Sequence, residues 1–79
     1  MKLEFSSKAK KALAAMDMNT GGRIFKTLLL LPDKGDIKPL EGAIASSFRL
    51  RVGDWRVLYS IVDDTILIEK IEPRGGVYK

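Results

Sequence analysis

The spacing of apolar positions changes along the chain, and each change marks an element. Leu3 and Phe5 alternate with Lys2 and Glu4 at the start, the two-residue period of a short strand. Ser6 or Ser7 then offers an N-cap for a helix over "KAKKALAAM". In that stretch Ala9, Ala12, Leu13 and Met16 recur at i, i+3, i+4 and i+7, which predicts a buried stripe and leaves Lys8, Lys10 and Lys11 outward. Asn19 or Thr20 can cap a second helix through "GGRIFKTLLLL", with Ile24, Phe25, Leu28 and Leu29 as its stripe and Pro32 as its end. Two short helices so close together predict an αα-hairpin.

Residues 32–43, "PDKGDIKPLEGA", are rich in Pro, Gly and Asp and read as a long loop. Strands are then predicted over Ile44–Val52, Trp55–Val62 and Thr65–Ile71, separated by the turn signals Gly53-Asp54 and Asp63-Asp64. The tail "EPRGGVYK" is broken by Pro73 and Gly75-Gly76. The order is β-α-α-β-β-β. This predicts an α+β fold in which a two-helix hairpin packs on one face of a mainly antiparallel, four-stranded sheet.

The hairpin "FRLRVGDWRVLY" carries the densest chemistry. A two-residue loop with Gly first favours a type II′ turn, and that turn fixes the register. Val52 then faces Trp55, Arg51 faces Arg56 and Arg49 faces Leu58. Phe48, Leu50, Val52, Trp55, Val57 and Tyr59 line the face beneath the helices, and the three arginines share the other. A loop of odd length would carry Arg56 to the core side, against the alternation. Two unit charges roughly 5–6 Å apart repel by about 3 kcal/mol at an effective dielectric of about 20. Arg51 opposite Arg56 is therefore poorly chosen for stability alone. It makes sense if a polyanion, or an acidic partner segment, sits on that face; arginine suits phosphate because a guanidinium binds it bidentately.

Composition narrows the options. The chain has 79 residues and a net charge of +4, which predicts one domain over residues 1–79. It contains neither cysteine nor histidine, so disulfides, thiolate metal sites, the usual zinc-ligand sets and the commonest general base are excluded. No metal or other cofactor is expected. The longest leucine run, Leu28 to Leu31, stops at Pro32 and is too short for a membrane span or a signal peptide. A soluble, cytoplasmic protein without membrane association is the expectation.

Three stretches, "PLEG", "FRLRVGDWRVLYSI" and "IEPRGGVY", resemble the RelE/ParE superfamily of toxins from bacterial type II toxin–antitoxin systems. The similarity runs over nearly the whole chain, and its most specific part is the arginine hairpin followed by a terminal Val-Tyr. The resemblance implies the RelE-like fold and, for RelE-type members, ribosome-dependent cleavage of mRNA. In that reaction the ribose 2′-hydroxyl attacks the adjacent phosphate without a metal, and translation and growth stop. By position, Arg49 and Arg51 match the basic pair around the scissile phosphate, and Arg56 matches the arginine that stabilises the transition state. Arg74 falls near a C-terminal arginine assigned to leaving-group protonation or phosphate contact, and Tyr78 matches a tyrosine that stacks on the base or assists proton transfer. Lys8, Lys10 and Lys11 become candidates for contact with RNA or the ribosome. The implied partners are a cognate antitoxin whose C-terminal segment wraps the toxin, the ribosome and mRNA. Some relatives have lysine where this chain has Arg49 and Arg51, and many add a second basic residue or a histidine near the tyrosine. Here "PRGGVY" offers Arg74 alone, so electrostatic stabilisation is the role these residues fill best. The superfamily leaves two alternatives open: a ParE-like gyrase poison without nuclease activity, and an inactive homologue that only binds antitoxin.

Overall fold

The computed structural model describes residues 1–39 and 47–73. Strand β1 (Lys2–Phe5) leads into helices α1 (Ser7–Ala15) and α2 (Met18–Leu28), and four strands follow: β2 (Asp36–Pro39), β3 (Ser47–Val52), β4 (Trp55–Val62) and β5 (Thr65–Pro73). They form one five-stranded sheet in the order β1-β5-β4-β3-β2. Strands β2 to β5 make an antiparallel meander, and β1 adds to its edge parallel to β5. The α+β class and the helix pair on one sheet face agree with the sequence reading. The sheet itself differs, being mixed and five-stranded rather than four-stranded.

The extra strand is β2, which lies inside the stretch read as a loop. Only Ile37 in "DIKP" is apolar, too little alternation to announce a strand. Ile37 nonetheless packs against the core, and Pro39 is tolerated because β2 is an edge. Gly35 precedes it at φ 128°, where a Cβ would come within 2.7 Å of a Leu50 methyl. Glycine is required there on both counts.

Ser6 caps α1: its Oγ accepts from the Ala9 N–H at 3.1 Å and donates to the Glu69 carbonyl at 2.7 Å, tying the helix start to β5. Helix α2 is capped by Asp17 rather than by Asn19 or Thr20, with a carboxylate oxygen accepting from the Thr20 N–H. Hydrogen bonds from Thr20 hold the Asp17 carboxyl below its ordinary range. The helix ends at Leu28, so Leu29 and Leu30 fall in a turn and are exposed while Leu31 returns to the core. Of the expected stripe, Ile24 and Leu28 are buried, and Phe25 and Leu29 are not.

The core lies between the helices and the sheet. Ala9, Ile24, Leu28 and Leu31 meet Leu50, Val52, Val57, Tyr59, Ile66, Ile68 and Ile71, with Phe48 and Trp55 packed beside them. Phe48 and Tyr59 stack across β3 and β4 at 5.4 Å. The hairpin register is as expected, pairing Val52 with Trp55, Arg51 with Arg56 and Arg49 with Leu58. Gly53 has φ 59° and Asp54 is not left-handed, which fits the expected type II′ turn. Residues 44–46 of the strand expected from Ile44 lie outside the described residues.

Candidate phosphate-binding face

The sheet face turned away from the helices carries the charged chemistry. Alternation puts Asp36 and Lys38 of β2, Arg49 and Arg51 of β3, Arg56 and Leu58 of β4, and Lys70 and Glu72 of β5 on it. The structure therefore brings Arg49, Arg51 and Arg56 together on one face. Lys8, Lys10 and Lys11 are exposed on α1, in the helix layer on the other side of the sheet. Arg74 and Tyr78 lie outside the described residues, as does most of the "PLEG" motif.

Arg56 is held by a residue that the sequence reading did not single out. Its Nε and Nη2 both donate to Glu72 Oε2, at 3.0 and 2.7 Å. The other Glu72 oxygen lies 3.2 Å from Lys70 Nζ. Partial burial pushes the Glu72 carboxyl up, but hydrogen bonds from Arg56 and Lys70 outweigh it and leave the carboxyl below its ordinary value. A guanidinium has five N–H donors, so this grip leaves three of them for a ligand.

The pairing depends on a β-bulge. Counting back from Asp63-Asp64, Val62 pairs with Thr65 and Tyr59 with Ile68; continued unchanged, that register would set Arg56 opposite Ile71. The register instead shifts between Leu58 and Tyr59, leaving Glu69 as the extra residue. Val57 then meets Ile71 in the core, and Arg56 meets Glu72 on the open face. The bulged Glu69 is anchored, accepting from Ser60 Oγ at 2.7 Å through its carboxylate and from Ser6 through its carbonyl. A sequence signal exists: Ile66 and Ile68 are two apart, but the next core isoleucine, Ile71, is three further on.

The β2–β3 half of the face differs. Among the described residues the ion pairs are Arg56–Glu72 and Lys70–Glu72, so Lys38, Arg49 and Arg51 have none. Asp36 sits opposite Arg51 in register without forming an ion pair. Arg49 Nε is buried and has no hydrogen-bond partner among the described residues. Leaving such a donor unpaired typically costs about 1–3 kcal/mol. Tyr59 does not serve this face, because it belongs to the core and burial raises its phenol further. No three His, Cys, Asp or Glu side chains among the described residues gather into a group that could hold a metal.

No protein-family model matches the chain, and no curated protein matches it. Solved structures do. A chain of the archaeal RelE–RelB complex from Pyrococcus horikoshii OT3 is 30% identical, with 96% of this chain and 97% of that one covered and a TM-score of 0.75. This chain belongs to the RelE family of type II toxin–antitoxin toxins. The RelB–RelE antitoxin–toxin complex from Methanococcus jannaschii is similar at 25% identity, with 95% and 94% covered and a TM-score of 0.78. The toxin–antitoxin complex RelBE2 from Mycobacterium tuberculosis is similar at 25% identity, with 92% and 96% covered and a TM-score of 0.76. The RelE-type toxin described here has no helix among its described residues that is long and apolar enough to cross a membrane.

Proposed function

We propose that this toxin is a ribosome-dependent mRNA endoribonuclease that blocks translation and growth. The observation that carries the reading is the register pair Arg51–Arg56 on an open sheet face. Like charges directly opposite weaken a sheet, and Glu72 offsets only one of the two. A phosphate seated between them would offset both.

In the proposed reaction the 2′-oxygen of one nucleotide attacks the adjacent phosphorus, and the 5′-oxygen of the next leaves. The products are a 2′,3′-cyclic phosphate and a 5′-hydroxyl end, and no metal is needed. Negative charge builds on the non-bridging oxygens, where Arg56, fixed by Glu72, and Arg51 supply hydrogen bonds. Arginine does not give up its proton at neutral pH, so these groups stabilise charge and do not move protons. Proton transfer or base stacking falls to Tyr78, and a further phosphate or leaving-group contact to Arg74. A site this sparse suits a partner that positions the substrate, because orientation alone can supply several kcal/mol. Lys8, Lys10 and Lys11, on the opposite side of the toxin, would meet ribosomal RNA while the arginines meet the message.

The proposed protein partner is a cognate antitoxin whose acidic or amphipathic C-terminal segment wraps the toxin and neutralises the arginines. The relatives from Pyrococcus horikoshii and Methanococcus jannaschii are complexes of RelE with RelB. The exposed Met18, Phe25 and Leu29 on and after α2 give such a segment apolar contacts. The test is purified toxin with programmed ribosomes and mRNA, beside toxin with gyrase and supercoiled plasmid. Cleavage only in the presence of ribosomes is expected. Intact mRNA together with gyrase-dependent DNA breaks would replace this reading with the gyrase-poison alternative.

A further inference from the structure

Strand β2 brings a second like-charge pair to the open face. Lys38 is the register partner of Arg49, as Arg56 is of Arg51. The face therefore carries two cross-strand cation pairs in succession, each of which the sheet would be more stable without. Arg49 and Arg51 are two residues apart on β3 and the two pairs lie on opposite sides of that strand, so their centres are displaced by roughly 6.6 Å along it and roughly 4.8 Å across it, about 8 Å in all. The flexible stem of Lys38 can close that distance to the spacing of successive phosphates in an extended single strand. The two pairs are unequally compensated. Glu72 serves Arg56, whereas Lys38 and Arg49 have no acidic partner among the described residues and the Arg49 Nε donor is buried unused.

We infer that Lys38 and Arg49 form a second phosphate subsite, which takes the backbone phosphate adjacent to the one at Arg51 and Arg56. Lys38 supplies a mobile point charge at the edge of the sheet. An anion at the Arg49 guanidinium gives that head a reason to reorient and use its idle donor. Two occupied pairs fix the axis of the strand as well as its position, since a chain gripped at one phosphate alone could pivot about it. The inference rests on the phosphate-binding role proposed above for this face, and adds Lys38 and a strand axis to it.

The test uses the full-length toxin without ribosomes and a short single-stranded RNA of 2′-O-methyl nucleotides, which cannot be cleaved. Binding is measured against salt, and then with single neutral methylphosphonate linkages placed in turn along the strand. Lys38→Ala is expected to lower the slope of log affinity against log salt by about 0.7, the loss of one phosphate contact. One neutral linkage that weakens the wild type severalfold should have little effect on Lys38→Ala, and the neighbouring linkage should have little effect on Arg51→Ala. Lys38→Arg should behave as wild type. If Lys38→Ala keeps the wild-type slope and the same linkage sensitivity, the subsite does not exist. Uniform weakening at every linkage would make Lys38 a diffuse charge and equally overturn the inference. A wild type whose binding is indifferent to salt would overturn both this inference and the phosphate-binding face beneath it.

Discussion

The two halves of the open face are built from the same residue types and solve opposite problems. On the β4–β5 side every charge has a partner: Arg56 donates twice to Glu72, Lys70 lies against the same carboxylate, and Ser60 donates to Glu69. On the β2–β3 side Lys38, Arg49 and Arg51 have no ion pair among the described residues. A partnered charge is held in place but has part of its field cancelled; an unpartnered one keeps its field and is free to move. One half is suited to placing a guanidinium where transition-state charge develops, the other to attracting and seating a polyanion. Net charge alone would not have separated these roles.

The largest expected effect comes from breaking the positioned half. Arg56→Ala should lower ribosome-dependent cleavage by about 10²–10³ and abolish growth arrest on induction. It should also destabilise the fold slightly rather than relieve Arg51, because Glu72 is left with Lys70 alone. A fully toxic Arg56→Ala would remove Arg56 from the mechanism.

Glu72→Gln tests what positioning contributes. Cleavage should fall by roughly tenfold, a loss of about 1.4 kcal/mol in transition-state binding, while RNA affinity at low salt rises because a negative charge has gone. Stability adds a pH signature. The Glu72 carboxyl is depressed in the folded state relative to its ordinary 4.5. Its contribution is therefore fully present above the unfolded value and is lost as pH falls through the lower folded value. The Tm gap between wild type and Glu72→Gln should be widest near neutrality and close in that acidic window. A gap independent of pH would mean that the ion pair does not stabilise the fold.

The smallest effect belongs to the unpartnered half. Arg49→Met removes a buried donor that has no partner among the described residues, so stability should be unchanged or rise by about 1 kcal/mol while RNA affinity falls. Denaturant unfolding and RNA titration of the same sample would check both signs. A clear loss of stability would show that Arg49 supports the fold.

The sequence made the arginine hairpin legible because two local signals agreed there. The Gly-first two-residue loop set the register, and strict alternation on both strands permitted no other. The partner of Arg56 was not legible, because its placement depends on Glu69 being squeezed out of the ladder far from the turn. The three-residue step from Ile68 to Ile71 marks that bulge once it is known to matter. Strand β2 escaped because a single apolar residue between Gly35 and Pro39 sets no period, although it carries Lys38 onto the face. Helix α2 misled in the opposite direction. Four consecutive leucines give no phase, and only the helix end at Leu28 decides that Leu31, rather than Leu29, is buried.

The most direct test of the phosphate-binding face is an NMR titration of the toxin with a short single-stranded RNA at low salt, reading backbone amides and arginine Nε resonances together. Shifts should concentrate at 36–38, 47–52 and 56, with the Arg49 Nε proton moving as it gains a partner and Arg56 Nε changing little because Glu72 already holds it. Shifts confined to Lys8, Lys10 and Lys11 on α1, with the arginine resonances unmoved, would contradict the account.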